Sequence, residues 1–459
     1  MRHHLTASIA PVALGALMPA VVSAFLLTTP VAAMAAAPAT GGALATPRQI
    51  ALEASALRIL ASAPMQAEIR RVEALYAADP QGATATGRAT IKRAAESIAM
   101  AAIQYAIGED TDRPAVLWVV NAPHAWFGMQ VPRSGYGIDN PDNVYRNIMV
   151  DGAARYEIRG QVKRPGPAEL HFELRDSIPG TAAMAAEGGK QLGTLRNDAM
   201  QIAADGSFTI TLDSAPANGR PNHMQMPAEG KFLLIVRDLF TDWKTQNPVA
   251  LEIDRVAGPA VAPAPSEEAM ARRAAQLLSQ IAPYWVAYDN QYVFTKPVNH
   301  IGTPRVRPGG RGFSTGGHFS LAADEAWIVT LRSLGAVSLG FQITDPWGVA
   351  YDYVGRTSSL NTAQARPNAD GSYTFVISAR DPGVYNWLDP EGYAAGLYAV
   401  RWQSLPPGAA PEAAVKESKV VSFDQLKQAL PPETRFITPA ERKAQQKERS
   451  RSHQRRLEQ

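Results

Sequence analysis

Two short segments of this 459-residue chain nearly repeat one another: "DGSFTITL" at 205–212 and "DGSYTFVI" at 370–377. Asp-Gly signals a turn, because glycine takes positive φ without steric cost and the aspartate side chain bonds its own backbone. The Ser-aromatic-Thr that follows opens an alternating strand. Further cues recur in the same order. Asp205 and Asp370 are 165 apart; Asn222 and Asn386 are 164 apart, as are Arg237 in "LLIVRDL" and Arg401 in "LYAVRWQ". Upstream, "HFELRD" at 171–176 resembles "GFQITD" at 340–345, offset by 169. Such spacing predicts one β unit present twice. A turn, an alternating strand, a Pro/Gly loop and a closing strand ending in Arg suit half of an antiparallel sandwich or jelly roll.

The longer stretch "NADGSYTFVISARDPGVYNWLDPEGYAAGLYAVRW", residues 368–402, resembles the C-terminal core of the bacterial family known as domain of unknown function 1214. A DGS-type strand, a Pro-containing loop, Asn-Trp-Leu and a strand ending in an Arg-containing motif carry the likeness. It spans roughly residues 320–405 and, more faintly, the first unit. Asp389-Pro390-Glu391 stands where the family would place a Pro-Ala-Pro-like turn. The resemblance implies a β-sandwich and brings neither an activity nor catalytic residues.

A chain of this length exceeds what one core usually supports. The fold class expected is mainly β with α: two antiparallel β-sandwich or jelly-roll-like units plus an N-terminal helical hairpin. Residues 47–110 show helical spacing, with Leu52, Leu57 and Leu60 and later Ile91, Ala94 and Ile98 on apolar faces. The period changes to two from Val116 onward, so 111–257 reads as the first β unit. Residues 258–284 read as a Pro-stiffened linker entering a helix capped by Ser266, with Glu267 and Glu268 at its positive end. Residues 285–407 read as the second unit. Residues 408–459 read as a basic C-terminal tail, whose last 20 residues have almost no apolar face and are expected to be solvated, frayed or disordered, with a weak contact to the cell envelope as the alternative.

Arg2, His3 and His4 precede an apolar run from Leu5 to about Ala37 that holds no Asp, Glu, Lys or Arg and ends in Ala33-Met34-Ala35. This reads as a signal peptide over residues 1–35 and a periplasmic or secreted bacterial protein. A retained membrane anchor is the alternative. The chain has no Cys, which excludes disulfides, thiolate catalysis and Cys-ligated zinc. A net charge of +3 gives no argument for nucleic acid.

Few residues point to chemistry. "GFSTG" at 312–316 matches a nucleophile elbow around Ser314, but "RVRPGGR" and "GHFSLAA" flank it instead of a strand and a helix, so a flexible loop is expected. Arg305, Arg307 and Arg311 in that loop suit an anion or a plain surface. Asp381, Asn386, Asp389 and Glu391 suit turn chemistry or a calcium loop. No metal site and no cofactor are expected. The constellation of greatest interest is 118–146, Pro/Gly-rich and too long for a plain connection. His124, Trp126, Arg133, Tyr136, Asp139, Tyr145 and Arg146, with Asn386 and Trp387 from the second unit, form the candidate ligand-binding set. Ring faces offer stacking area and the polar groups direction, which fits a saccharide or an apolar small molecule. The alternative is a cofactor-free hydrolase or lyase acting on a polymer or glycoside, centred on His124, Asp139 and Arg146.

Overall fold

A computed structural model describes residues 42–185, 189–310 and 312–457. The signal-like segment 1–35 and Arg311 lie outside the described residues. The chain opens with three helices, α1 (Pro47–Leu60), α2 (Ala63–Ala78) and α3 (Ala85–Gly108). Thr46 and Thr84 cap α1 and α3 by accepting from Gln49 N and Gly87 N. The helical hairpin expected over 47–110 is thus a set of three, because Pro64 starts a second helix where the apolar spacing runs on.

The first β unit comprises β1 (Leu117–Val119), β2 (His124–Trp126), β3 (Met129–Val131), β4 (Asn143–Asp151), β5 (Arg155–Gln161) and β6 (Glu169–Arg175). It continues with β7 (Gln191–Arg196), β8 (Ser207–Asp213), β9 (His223–Gln225), β10 (Lys231–Leu239) and β11 (Ala250–Ala257). Helix α4 (Glu267–Tyr292) follows, its Ser266 cap accepting from Ala269 N. The helix read from the linker is longer than expected and is no spacer: α4 packs on α1, α2 and α3, burying Leu277, Leu278 and Ile281. This layer covers Met149, Leu233 and Ile235 on the outer face of the first unit.

The second unit comprises β12 (Arg305–Val306), β13 (Phe313–Ser320), β14 (Glu325–Leu331), β15 (Ser338–Thr344) and β16 (Ser359–Asn361). Then come β17 (Tyr373–Ile377), β18 (Trp387–Leu388), β19 (Ala395–Gln403) and β20 (Val415–Ser422). Two short helices close the chain, α5 (Phe423–Ala429) and α6 (Pro439–Gln454). Among the described residues no helix is long and apolar enough to cross a membrane.

The two units have one topology. Sheets β1-β4-β10-β6-β7 and β11-β5-β8-β9 in the first match β12-β13-β19-β15-β16 and β20-β14-β17-β18 in the second. Even the short parallel pairs, β8 with β9 and β17 with β18, recur. The sequence cues sit at equivalent places. Asp205 accepts from Ser207 N and Oγ, and Asp370 from Ser372 N and Oγ, each beside a glycine at φ +90° or +78°. Asn222 bridges the backbone of Gln201 at 2.8 Å in both directions, and Asn386 does the same to Arg366. Each sandwich has its own core, around Ile148, Phe172 and Leu234 in the first and Trp327, Phe341 and Trp402 in the second.

The basic segment departs from expectation. Its first part supplies β20 to the second sandwich, and its last part is the helix α6 with a capping box at Thr438 and Glu441, where Arg442, Arg449 and the following Arg456 are buried. The guanidinium groups of Arg449 and Arg456 lie 4.3 and 4.4 Å from the Trp243 ring centre, and Arg442 pairs with Asp381 at 2.9 Å. Arginine buries its stem and stacks its plane, so a helix without an apolar stripe still packs. Ser314 is also placed differently: it lies within β13, a continuous strand, so no strand-to-helix elbow exists there.

Candidate functional site

Strand alternation decides which residues can meet between the two units. In β4 and β10, even-numbered residues such as Ile148 and Leu234 enter the sandwich core, and the odd-numbered ones face outward. In β15 and β19, Phe341 and Val400 point in, which turns Gly340, Gln342 and Arg401 outward. The outward faces of β10 and β19, joined by segment 132–142, enclose a cavity of about 220 Å³. Its polar wall includes Asn143, Tyr145, His171, Arg237, Arg401 and Asp139. Tyr105 of α3 and Trp285 of α4 close it from the helical layer.

Segment 132–142 belongs to the first unit but docks on the second. Arg401 donates to the Ile138 carbonyl, and Gln342 donates to the Asp139 carbonyl. Asn140 reaches Gln403 at 2.9 Å, and Arg133 donates to the Ala350 carbonyl at 2.5 Å. The tight path requires Gly137, whose φ is +63° and where a Cβ would lie 3.0 Å from the Trp285 ring. Tyr136 meets Trp285 edge-on at 5.7 Å and shares a 2.7 Å hydroxyl contact with Tyr105.

Burial dominates the electrostatics. It pushes the Asp139 carboxyl up to about 7, against the opposing pull of Arg401 and Arg133. Burial also lowers the Arg401 guanidinium and raises the Tyr136 phenol. Asp139 Oδ1 and Asn143 Oδ1 are buried without a hydrogen-bond partner. Unmatched buried oxygens are costly to the fold.

Of the nine residues singled out from sequence, Tyr136, Asp139 and Tyr145 line the cavity. Arg133, in the same segment, lines a separate small cleft with Ala350 and Tyr353. The others lie elsewhere. Arg146 follows Tyr145 in β4 and so points the opposite way, into a buried pair with Asp238. His124 and Trp126, on the β2–β3 hairpin, pack with Trp118 against the buried Glu53, to which Trp126 Nε1 donates at 2.6 Å. Asn386 makes the backbone bridge already described, and Trp387 donates to the Ser378 carbonyl. His124, Asp139 and Arg146 therefore share no site, and the catalytic arrangement centred on them does not assemble. Asp381, Asp389 and Glu391 pair with Arg442, Arg356 and Arg93, which is structural ion pairing. Among the described residues no group of three or more His, Asp or Glu is placed to hold a metal. Sequence reasoning missed His171, Trp285 and the two repeat arginines as site residues. The signal lay in the repeat itself, since Arg237 and Arg401 occupy one position on the outer face of the same central strand.

The family described as protein of unknown function, DUF1214, matches residues 145–241. This span runs from β4 past β10, so the match falls on the first unit, where the sequence carries the fainter resemblance, and not on 320–405. A crystal structure of an uncharacterized protein from Burkholderia cenocepacia is 25% identical, with a TM-score of 0.64, covering 80% of this chain and 99% of that chain. The VPA0106 protein from Vibrio parahaemolyticus is 8% identical with a TM-score of 0.38, covering 62% of this chain and 90% of that one. No curated protein matches the sequence.

Proposed function

We propose that this chain is a binding protein that holds a small polar molecule, of about monosaccharide size, in the cavity between its two sandwiches. One observation carries the reading: a space of about 220 Å³ is walled by both units and lined by the polar side chains of Asn143, Asn147, Arg237 and Arg401. Ligand sites of drug-sized molecules run to roughly 300–1,000 Å³, so the occupant is small. Trp285, Tyr136 and Tyr145 supply ring surface, and Asn143, Asn147 and Arg237 supply direction. A saccharide fits these walls, and the apolar patches at Ile235 and Leu239 accept its less polar edge.

The test is a thermal-shift screen of small saccharides and sugar acids on the wild type and on Trp285→Ala. The expected result is stabilisation of the wild type by at least one compound and its loss in the variant. If no compound raises Tm, or Trp285→Ala keeps the full shift, the cavity is not the site.

A further inference from the structure

The duplication makes the two arginines comparable, and the comparison shows that their charges are treated differently. Arg237 stands opposite His171 of β6, and Arg401 stands opposite Gly340 of β15. Two residues further along, unit one carries Glu173 and unit two carries Gln342. Arg237 pairs with Glu173 at 2.6 Å. Arg401 donates to the Gln342 side-chain oxygen instead, an acceptor of the same shape with no charge. The amide is used in both directions, because its nitrogen serves the Asp139 carbonyl, and a glutamate there would set two oxygens against each other.

The neighbours of the two arginines across the strands also differ. Across the strand from Arg237 stands Tyr145, whose ring lies 5.7 Å from the guanidinium. Across from Arg401 stands Ser314. On the other side, the room left by Gly340 is entered by the Asp142 carboxylate, where Arg237 has the His171 side chain. Among the described residues Arg401 meets two neutral acceptors, Gln342 and the Ile138 carbonyl, leaving the rest of its donor fork without a protein acceptor. Asp139 and Asp142 attract it from nearby, but among the described residues no carboxylate is bonded to it, and at the wall of a cavity its free donors face an anion from outside the chain.

Resting on the cavity reading above, we infer that the cavity selects a small organic carboxylate and that Arg401 anchors its charged end. The opposite wall argues for one negative charge rather than two, because Glu169 lines the cavity and Glu173 sits behind Arg237. The tyrosines and Trp285 then face the uncharged body of the acid.

The experiment is calorimetric titration with matched probes: D-glucuronate against D-glucose, benzoate against benzyl alcohol, and inorganic phosphate. The proteins are wild type, Arg401→Gln and Ser314→Asp. The last places a carboxylate directly across from Arg401 while leaving the arginine and the docked segment intact. At least one acid is expected to bind the wild type about tenfold or more tighter than its neutral partner. Both substitutions should weaken that acid by a similar factor, and Ser314→Asp should keep or raise the Tm of the free protein. Equal binding of acid and neutral partner, tighter binding of phosphate, or unchanged affinity in Ser314→Asp overturns the carboxylate assignment and leaves the cavity reading standing. Binding of none of the probes removes both.

Discussion

Asp139 is the residue on which pH acts most directly. An aspartate in an unfolded chain titrates near about 3.9, whereas burial carries this one up to about 7. The folded state therefore holds the proton longer than the unfolded chain does. Its contribution to stability is whole below about pH 4 and is lost as pH rises through about 7. Asp139→Asn carries no charge at any pH, so it should gain on the wild type by on the order of 4 kcal/mol between about pH 4 and pH 8. Urea unfolding of both proteins at the two pH values measures this, and a constant difference would show that Asp139 does not titrate as described. Asp139 and Tyr145 were legible from the sequence because both belong to a long polar and aromatic segment. Arg146 misled for a simple reason: adjacency in sequence became opposition in space once the segment formed a strand.

Helix α6 shows what periodicity cannot reveal. Its only apolar residues are alanines, yet Arg442, Arg449, His453 and Arg456 are buried. The partner that orders it, Trp243, lies about two hundred residues earlier between β10 and β11. Arg449 also donates to the Tyr353 carbonyl and to Ser359 Oγ, so the helix ties the second unit to the first. Trp243→Ala should cost about 3–5 kcal/mol, the usual range for deleting a buried Trp ring, and should expose α6 to protease. Unchanged stability with α6 still protected would mean that other contacts hold the helix. The helices α1 to α4 were easier to foresee, since their caps and apolar stripes are local. Their joint packing was not, because α4 is separated from the other three by the entire first sandwich.

At the scale of the whole molecule, the duplication was visible because its markers perform local backbone tasks. Asp205 and Asp370 close turns, and Asn222 and Asn386 bridge neighbouring strands, so the same residues recur at nearly the same spacing. The cavity left no comparable mark. Its walls come from β4, β6, β10, β19, several loops and two helices, and only the closing of one unit on the other brings them together. The difference between Glu173 and Gln342 became meaningful once the strands were superposable. The account's central claim is that the ligand sits between the two sandwiches. Hydrogen exchange with and without saturating D-glucuronate tests it directly. The prediction is added protection in 132–142, 231–239 and 395–403 together, with 124–126 and 381–391 unchanged. Protection confined to those last two segments, or no change anywhere, would contradict it.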